Sequence, residues 1–186
     1  MKITGIKTYW LKVPYDKPFE PTWYPGKRET HQHILLVRVM TDEGIEGYGS
    51  GEFPFGLTPT YMTFIQDMIA PWLIGQDPLM IEKLATRLKG DGRLAPRPWI
   101  VENALWDILG KKAGLPAYKV MGGYRDHIPA YAAMCELRSD EERQEDALRL
   151  FDEGFRAVKL RLFMPTIKED IHIVENIRKA VGDKMT

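Results

Sequence analysis

Two cationic side chains, Lys159 and Arg161, alternate with aliphatic residues over residues 157–163. If this segment is a β-strand, its period of two places the aliphatic side chains on one face and both cations on the other. In an antiparallel sheet this would be an ordinary solvent-facing pattern. In a parallel β/α arrangement the cations would instead point into a barrel interior or cleft, where an unpaired charge is unfavourable. The pattern therefore favours a functional role for Lys159 and Arg161.

The sequence around these cations predicts a strand–helix–strand unit. Residues 128–134 and 157–163 have the composition of strands, and capping boxes begin at Ser139 and Thr166, each with a glutamate three residues later. A helix between two such strands implies a parallel pair with a right-handed crossover. Because two parallel strands leave edges and faces uncovered, we expect a further strand after residue 186 and interpret the sequence as a fragment, or half, of something larger.

Residues 1–125 are organised differently, with strands first and helices second. An apolar run at 34–39 is followed by the turn signal Thr41-Asp42-Glu43-Gly44, and residues 45–51 are then predicted to be the returning strand of a hairpin. Apolar residues at helical spacing then predict three helices: one over about 60–73, one from the N-cap Asp77 to Gly90, and one from Pro98 to Gly114.

Two segments carry aromatic residues outside the predicted strands and helices. Residues 13–30 are predicted to form a long loop containing Phe19, Trp23 and Tyr24. Loops of this length usually have a function or are disordered, although a packed surface loop is the alternative. Phe53 and Phe55 follow the predicted strand at 45–51. Both a mobile loop over a site and simple packing are consistent with the sequence there.

The composition disfavours several classes of protein. The 186 residues carry 26 Lys and Arg against 26 Asp and Glu, so the chain lacks the positive field of a nucleic-acid or anionic-membrane binder. No apolar run approaches the roughly 20 residues of a membrane span. The single cysteine, Cys135, has no partner for an internal disulfide, which favours a reducing, cytoplasmic location.

Two further motifs favour structural roles. His31 and His33 are spaced to share a strand face, but no third metal ligand is near in sequence, so solvated or hydrogen-bonded histidines are the simpler interpretation. The run Gly47-Tyr48-Gly49-Ser50-Gly51 lacks the spacing of a dinucleotide-binding loop.

The segment ENALWDILGKKAGLP at 102–116, followed by Met-Gly-Gly at 121–123, resembles the mandelate racemase/muconate lactonizing enzyme group of the enolase superfamily. The turn at 41–44 and the segment 47–52 are similar to the N-terminal domain of that family. The resemblance implies an α+β capping domain over 1–125, followed at 126–186 by the first two βα units of a modified (β/α)8 TIM barrel. It also implies that the aromatic segments close over a substrate, with Phe19, Trp23, Tyr24, Phe53 and Phe55 as contacts.

The resemblance further implies chemistry at the second barrel strand, where this family carries a Lys-x-Lys-like motif, here Lys159-Leu160-Arg161. The implied reaction abstracts the proton next to a carboxylate, with magnesium and cations stabilising the enediolate. The family's magnesium ligands lie on the third, fourth and fifth barrel strands. We therefore expect Mg²⁺ in the complete protein, no metal ligands among these 186 residues, and no turnover by the fragment alone.

Arg161 occupies the position at which racemases of this family keep a second lysine as base. An arginine, with a pKa above about 12, is a poor base at neutral pH, and its fork suits a carboxylate or hydroxyl. This departure favours dehydration of a sugar acid by a base on a later strand. A racemase, epimerase or cycloisomerase is the nearest alternative, and a non-catalytic binding module is the alternative of another class. The expected partners are a small carboxylate and either a homo-oligomer or a chain carrying the rest of the barrel.

Overall fold

The computed structural model describes residues 1–53, 56–93 and 98–186. The chain forms two compact units: the first comprises residues 1–14 and 31–126, and the second comprises residues 15–30 and 127–186. The predicted boundary after residue 125 lies one residue from this division, whereas residues 15–30 belong to the second unit. No helix in the described ranges has both the length and the apolarity needed to cross a membrane.

A sheet with the strand order β1-β2-β3 begins the chain, with β1 at Ile3–Phe19, β2 at Glu29–Thr41 and β3 at Glu46–Glu52. β2 and β3 pair antiparallel with Val37 opposite Gly49, and Gly44 adopts a φ of 77° in the turn between them. The predicted hairpin is therefore confirmed.

The predicted loop at 13–30 is wrong over much of its length. Residues 13–19 continue β1 and residues 29–30 begin β2, so only residues 20–28 lie outside strands. The strand was not predicted because Pro14 and Pro18 are typical of a loop. They are tolerated because β1 is an edge strand, in which a missing N–H can face away from the ladder.

The described part of the first unit has five α-helices after the sheet, and their bounds differ in part from the predicted ones. They are α1 (Thr58–Phe64), α2 (Ala70–Leu73), α3 (Ile81–Asp91), α4 (Trp99–Ala113) and α5 (Ala117–Val120). The predicted helix at 60–73 is interrupted by a π-helical turn at Ile65–Ile69. α4 ends as predicted at Gly114, whose φ of 65° closes the helix.

The predicted N-cap at Asp77 is wrong. α3 begins four residues later, at Ile81, and ends at Asp91 rather than Gly90. The Asp77 carboxylate instead accepts a hydrogen bond from the Leu79 backbone at 3.0 Å, and the Met80 N–H donates to the Asp77 carbonyl at 3.2 Å. Asp77 therefore stabilises a turn before the helix instead of capping the helix itself.

Glycines on one face of β3 allow α4 to lie directly against the sheet. A Cβ atom placed on Gly47 would lie 2.0 Å from the Ala104 carbonyl oxygen, and one on Gly49 would lie 1.9 Å from the Ile100 carbonyl oxygen. These distances leave no space for a side chain. The glycine-rich run is thus a packing surface that alternates with exposed residues along a strand. The core beside it contains Leu35, Val37, Val39, Ile65, Ile69, Leu73, Ile100, Leu105 and Ile108.

The second unit contains the predicted parallel strand–helix–strand arrangement. β4 (Ala132–Met134) is followed by α6 (Asp140–Asp152), β5 (Val158–Leu160) and α7 (Ile167–Val181). β4 and β5 pair in parallel with Ala133 opposite Lys159, and both predicted capping boxes are present, at Ser139 and Thr166. On the other edge of β5, Thr186 donates to the Arg156 carbonyl and accepts from the Val158 N–H, at 2.9 and 2.8 Å.

Both parallel strands are shorter than predicted. β4 begins at Ala132 instead of residue 128 and ends at Met134 as predicted, while β5 covers only Val158–Leu160 of the predicted 157–163. After β4 the backbone changes partner: the Cys135 carbonyl accepts from Thr22, and the Leu137 N–H donates to Glu20.

We predict that the substitution Gly49→Ala lowers the free energy of unfolding by about 1–3 kcal/mol, because the new Cβ forces α4 away from β3. Urea unfolding followed by circular dichroism measures this change. Ser50→Ala is the matched control, since Ser50 is the exposed next residue on the strand, and its effect should stay within about 0.5 kcal/mol. Equal stability of the two variants would contradict the close contact between α4 and β3.

Candidate active site

Lys159 belongs to β5 and Arg161 directly follows it, and both side chains are exposed on the side opposite Leu160 and Leu162. Leu160 and Leu162 pack against the buried cluster formed by Ala147, Ile173 and Ile177. Both cations are exposed in this chain, so the predicted separation of apolar and cationic faces is confirmed. Burial of the leucines against α6 and α7 determines the direction in which the cations point.

Each cation lies over an aromatic ring of the same unit. The Lys159 Nζ atom is 5.6 Å from the centroid of the Tyr131 ring, and the Arg161 Cζ atom is 4.8 Å from that of the Trp23 ring. Both distances are within the range of cation–π attraction. Trp23 thereby joins the candidate site, while Tyr131 is a contact that the sequence analysis missed because it depends on the register between β4 and β5.

Residues 20–22 are fixed beside the chain that leaves β4. The Thr22 N–H donates to the Cys135 carbonyl at 3.0 Å, the Leu137 N–H donates to the Glu20 carbonyl at 2.8 Å, and Pro21 pairs with Glu136 as an antiparallel bridge. These bonds lie just beyond the C-terminal end of β4, the end at which barrel enzymes place their active sites. Trp23 is the next residue along the chain, so this pairing determines where its side chain lies.

Glu20 closes the turn that carries Trp23. Its carboxylate accepts hydrogen bonds from the Gly26 backbone at 2.8 Å and from the Arg28 guanidinium at 3.0 Å. These two donors, the backbone N–H first, lower the pKa of Glu20 below its ordinary value of 4.5. Gly26 adopts a φ of 85°, a conformation that favours glycine.

The predicted substrate contacts Phe19 and Tyr24 also lie in this unit. Phe19 is half-buried, and its ring centroid lies 6.2 Å from that of Trp23. Tyr24 is 53% exposed, and its ring centroid lies 5.6 Å from the Nζ atom of Lys27. Of the three aromatic residues, Trp23 contacts Arg161 and Phe19 lies beside Trp23, whereas Tyr24 is exposed beside Lys27.

The two remaining predicted contacts are placed differently. Phe53 belongs to the first unit, is 5% exposed, and has its ring centroid 3.8 Å from that of Tyr61. The ring of Phe53 is packed in the core. Of the two interpretations that the sequence allowed, a loop over a site and simple packing, the structure therefore has simple packing. Phe55 lies outside the described residues.

Within residues 1–53, 56–93 and 98–186, no three His, Cys, Asp or Glu side chains are grouped so that they could hold a metal ion. His33 instead accepts a hydrogen bond at Nδ1 from the Trp10 indole N–H at 3.1 Å. The described residues therefore supply no ligand set that fits magnesium, and no chemical step on this chain is assigned to a metal.

Residues 12–122 match the family model for the N-terminal domain of mandelate racemase / muconate lactonizing enzymes. The chain belongs to this family. The capping domain predicted from the 102–123 motif is thus confirmed, and the parallel strand–helix units that follow it are the beginning of the family's barrel. The relatives are enzymes of the enolase superfamily, in agreement with the predicted class.

The relatives perform several reactions. The chain is 31% identical to a D-galactarolactone cycloisomerase of Agrobacterium fabrum over 100% of its length and 50% of that protein. It is 29% identical to an arabinonate dehydratase of Saccharolobus solfataricus, over 85% and 45% of the two chains. A solved racemase of Streptomyces coelicolor A3(2) with bound magnesium superposes with a TM-score of 0.86 at 26% identity, over 98% of this chain and 53% of that one. The chain thus spans about half the length of the relatives it matches.

We predict that Arg161→Met increases hydrogen exchange at residues 20–24 by about two- to fivefold, since loss of the cation–π contact releases Trp23. Hydrogen exchange read by mass spectrometry measures the change. Arg156→Met is the control, because Arg156 lies over the Phe151 ring instead. Unchanged exchange in Arg161→Met would contradict a stabilising contact.

The turn around Glu20 should also depend on pH. Because the folded-state pKa of Glu20 is lowered, its contribution is complete above the unfolded value of 4.5 and is lost as the pH falls through the folded value. We expect the carboxyl carbon of Glu20 to titrate below 4.5 in NMR spectra, with exposure of the Gly26 amide in the same pH range. Glu20→Gln should remove this transition, and its persistence in that variant would refute the assignment.

Proposed function

We propose that the complete protein is a magnesium-dependent dehydratase of a sugar acid, and that these 186 residues carry the cationic part of its active site. The observation that carries the proposal is Arg161 over the ring of Trp23. The guanidinium of Arg161 stays exposed while it contacts this ring, so its N–H donors are available to a carboxylate or hydroxyl. An arginine in this position binds and orients the substrate, but it does not remove a proton from the substrate at neutral pH.

In the proposed reaction, a base outside this chain removes the proton next to the substrate carboxylate. The electron pair forms the enediolate, the β-carbon–oxygen bond breaks, and the departing hydroxyl leaves as water after protonation. The resulting enol tautomerises to a 2-keto-3-deoxy acid. Magnesium, when bound, supplies positive charge for the enediolate. Lys159, exposed on the same face as Arg161, adds positive charge at the substrate carboxylate.

The aromatic residues Phe19, Trp23 and Tyr24 are proposed to cover the substrate. Trp23 is 38% exposed while in contact with Arg161, so part of its ring is available to a ligand. Aromatic faces pack well against the C–H faces of a carbohydrate chain, and the backbone pairing of residues 20–22 supplies the rigidity that substrate positioning needs. Arabinonate dehydratase among the relatives supports this substrate class.

The second candidate function is a cycloisomerase, racemase or epimerase. It is favoured by the cycloisomerase relative, whose identity of 31% is similar to that of the dehydratase. These reactions share the proton abstraction, so Lys159 would keep its role. They differ in product, since no hydroxyl is lost.

The test is a screen of aldonic and aldaric acids with Mg²⁺ on the complete protein. Dehydration gives a 2-keto-3-deoxy acid, detected as its semicarbazone, whereas racemisation exchanges the α-proton for deuterium without a keto product. We expect Lys159→Met to lower kcat/KM by about 10²-fold or more, with Lys168→Met as an exposed control. The 186-residue chain alone should show no turnover. Keto acid formation at wild-type rate by Lys159→Met would refute the proposed role.

A further inference from the structure

A cavity of about 280 Å³ in the second unit has an unusual charge distribution. Its polar lining consists mainly of three arginines and two carboxylates: Arg138, Arg143, Arg149, Glu136 and Asp146. Two carboxylates outside the lining also pair with two of these arginines: Glu142 lies 3.4 Å from Arg138, and Glu153 lies 2.5 Å from Arg149. The remaining wall is largely apolar and includes Phe19, Ala132, Ala133, Met134 and Leu150.

Among the described residues, the arginine of this cavity that has no carboxylate partner is also the most buried of the three. Arg143 is 2% exposed, and its Nε atom donates to the Arg138 carbonyl at 3.2 Å. Its Nη1 atom is buried and has no hydrogen-bond partner within the described part of the chain. Nor does Arg143 form an ion pair with a described carboxylate. A buried guanidinium in this condition is strongly unfavourable unless an anion accompanies it.

The carboxylates of the cavity are already engaged by the other two arginines. Glu136 pairs with Arg138 at 2.8 Å, and Asp146 accepts from Arg149 at 3.1 Å. The Nε atom of Arg138, 3.8 Å from Asp146, is a second buried donor without a hydrogen bond. Two donors of adjacent guanidinium groups on one cavity thus lack acceptors, and no lining acid is left for Arg143.

We infer that this cavity binds a small carboxylate through Arg143 and Arg138. A water molecule would satisfy a donor but would not neutralise the charge. A carboxylate does both, and the apolar wall accommodates a short carbon chain, which a phosphate lacks. The inference does not depend on the proposed enzymatic reaction.

Thermal unfolding of the 186-residue chain tests the inference with sodium butyrate as the probe. Sodium phosphate and sodium chloride at equal ionic strength are the comparisons. We expect a saturable rise in Tm with butyrate that exceeds the rise with either comparison salt, because a ligand of the folded state stabilises it by mass action. A response to phosphate equal to or above that to butyrate would overturn the assignment to a carboxylate. No difference between butyrate and chloride would overturn the site.

Variants of Arg143 test whether this arginine binds the carboxylate. Arg143→Met should weaken the apparent butyrate affinity about tenfold or more, since it removes charge-assisted hydrogen bonds. Its Tm without ligand should equal or exceed that of the wild type, because an unpaired buried charge is replaced by an apolar chain. Lys179→Met, which removes an exposed charge from α7, should retain the full response. If Arg143→Met does not fold, Arg143→Lys serves instead: it keeps the charge but loses the fork and should respond more weakly than the wild type. Undiminished binding by the variant that folds would refute the inference.

Discussion

The burial of Leu160 and Leu162 against the helices of the second unit is the interaction on which the candidate site depends. A strand offers only two directions to its side chains. Once hydrophobic burial fixes one of them, Lys159 and Arg161 must take the other. Moving the strand by one residue would bury the cations among aliphatic side chains, at a cost far above that of any surface contact. The hydrophobic effect thus determines which way the two charged side chains point, although it acts on their aliphatic neighbours.

The contact between Trp23 and Arg161 extends this constraint to a part of the chain more than 130 residues away in sequence. Backbone hydrogen bonds from residues 20–22 to residues 135–137 hold Trp23 in place. Each such bond contributes only about 1 kcal/mol, but they act on adjacent residues and leave the turn little freedom. The carboxylate of Glu20 then stabilises the turn from inside. An exposed arginine receives a fixed orientation in this way without the desolvation that burial would require.

Local signals in the sequence predicted the parts of this fold whose stabilising contacts are also local. The capping boxes at Ser139 and Thr166 mark helix starts, because their hydrogen bonds span three residues. Asp77 gave a misleading signal because an aspartate side chain stabilises a turn as readily as a helix start. The cationic face of β5 was predictable from its alternation. The contact between Trp23 and Arg161 was not predictable. It depends on backbone pairing between distant segments, and no periodicity in the sequence indicates that pairing.

The glycines of β3 and the arginines of the second unit differ in how much the sequence reveals about them. The spacing of Gly47 and Gly49 already argued against a dinucleotide-binding loop, and the structure gives the reason for the glycines: carbonyl groups of α4 occupy the space that side chains would need. Arg143 gives no signal in the sequence, where it is one of several charges on an amphipathic helix. In the fold it is the least exposed of the arginines around its cavity, and the neighbouring acids already serve Arg138 and Arg149. The sequence therefore supported the structural role of the glycines but missed the position at which burial leaves a charge without a counter-ion. Burial, combined with an accounting of hydrogen-bond partners, distinguishes the two cases.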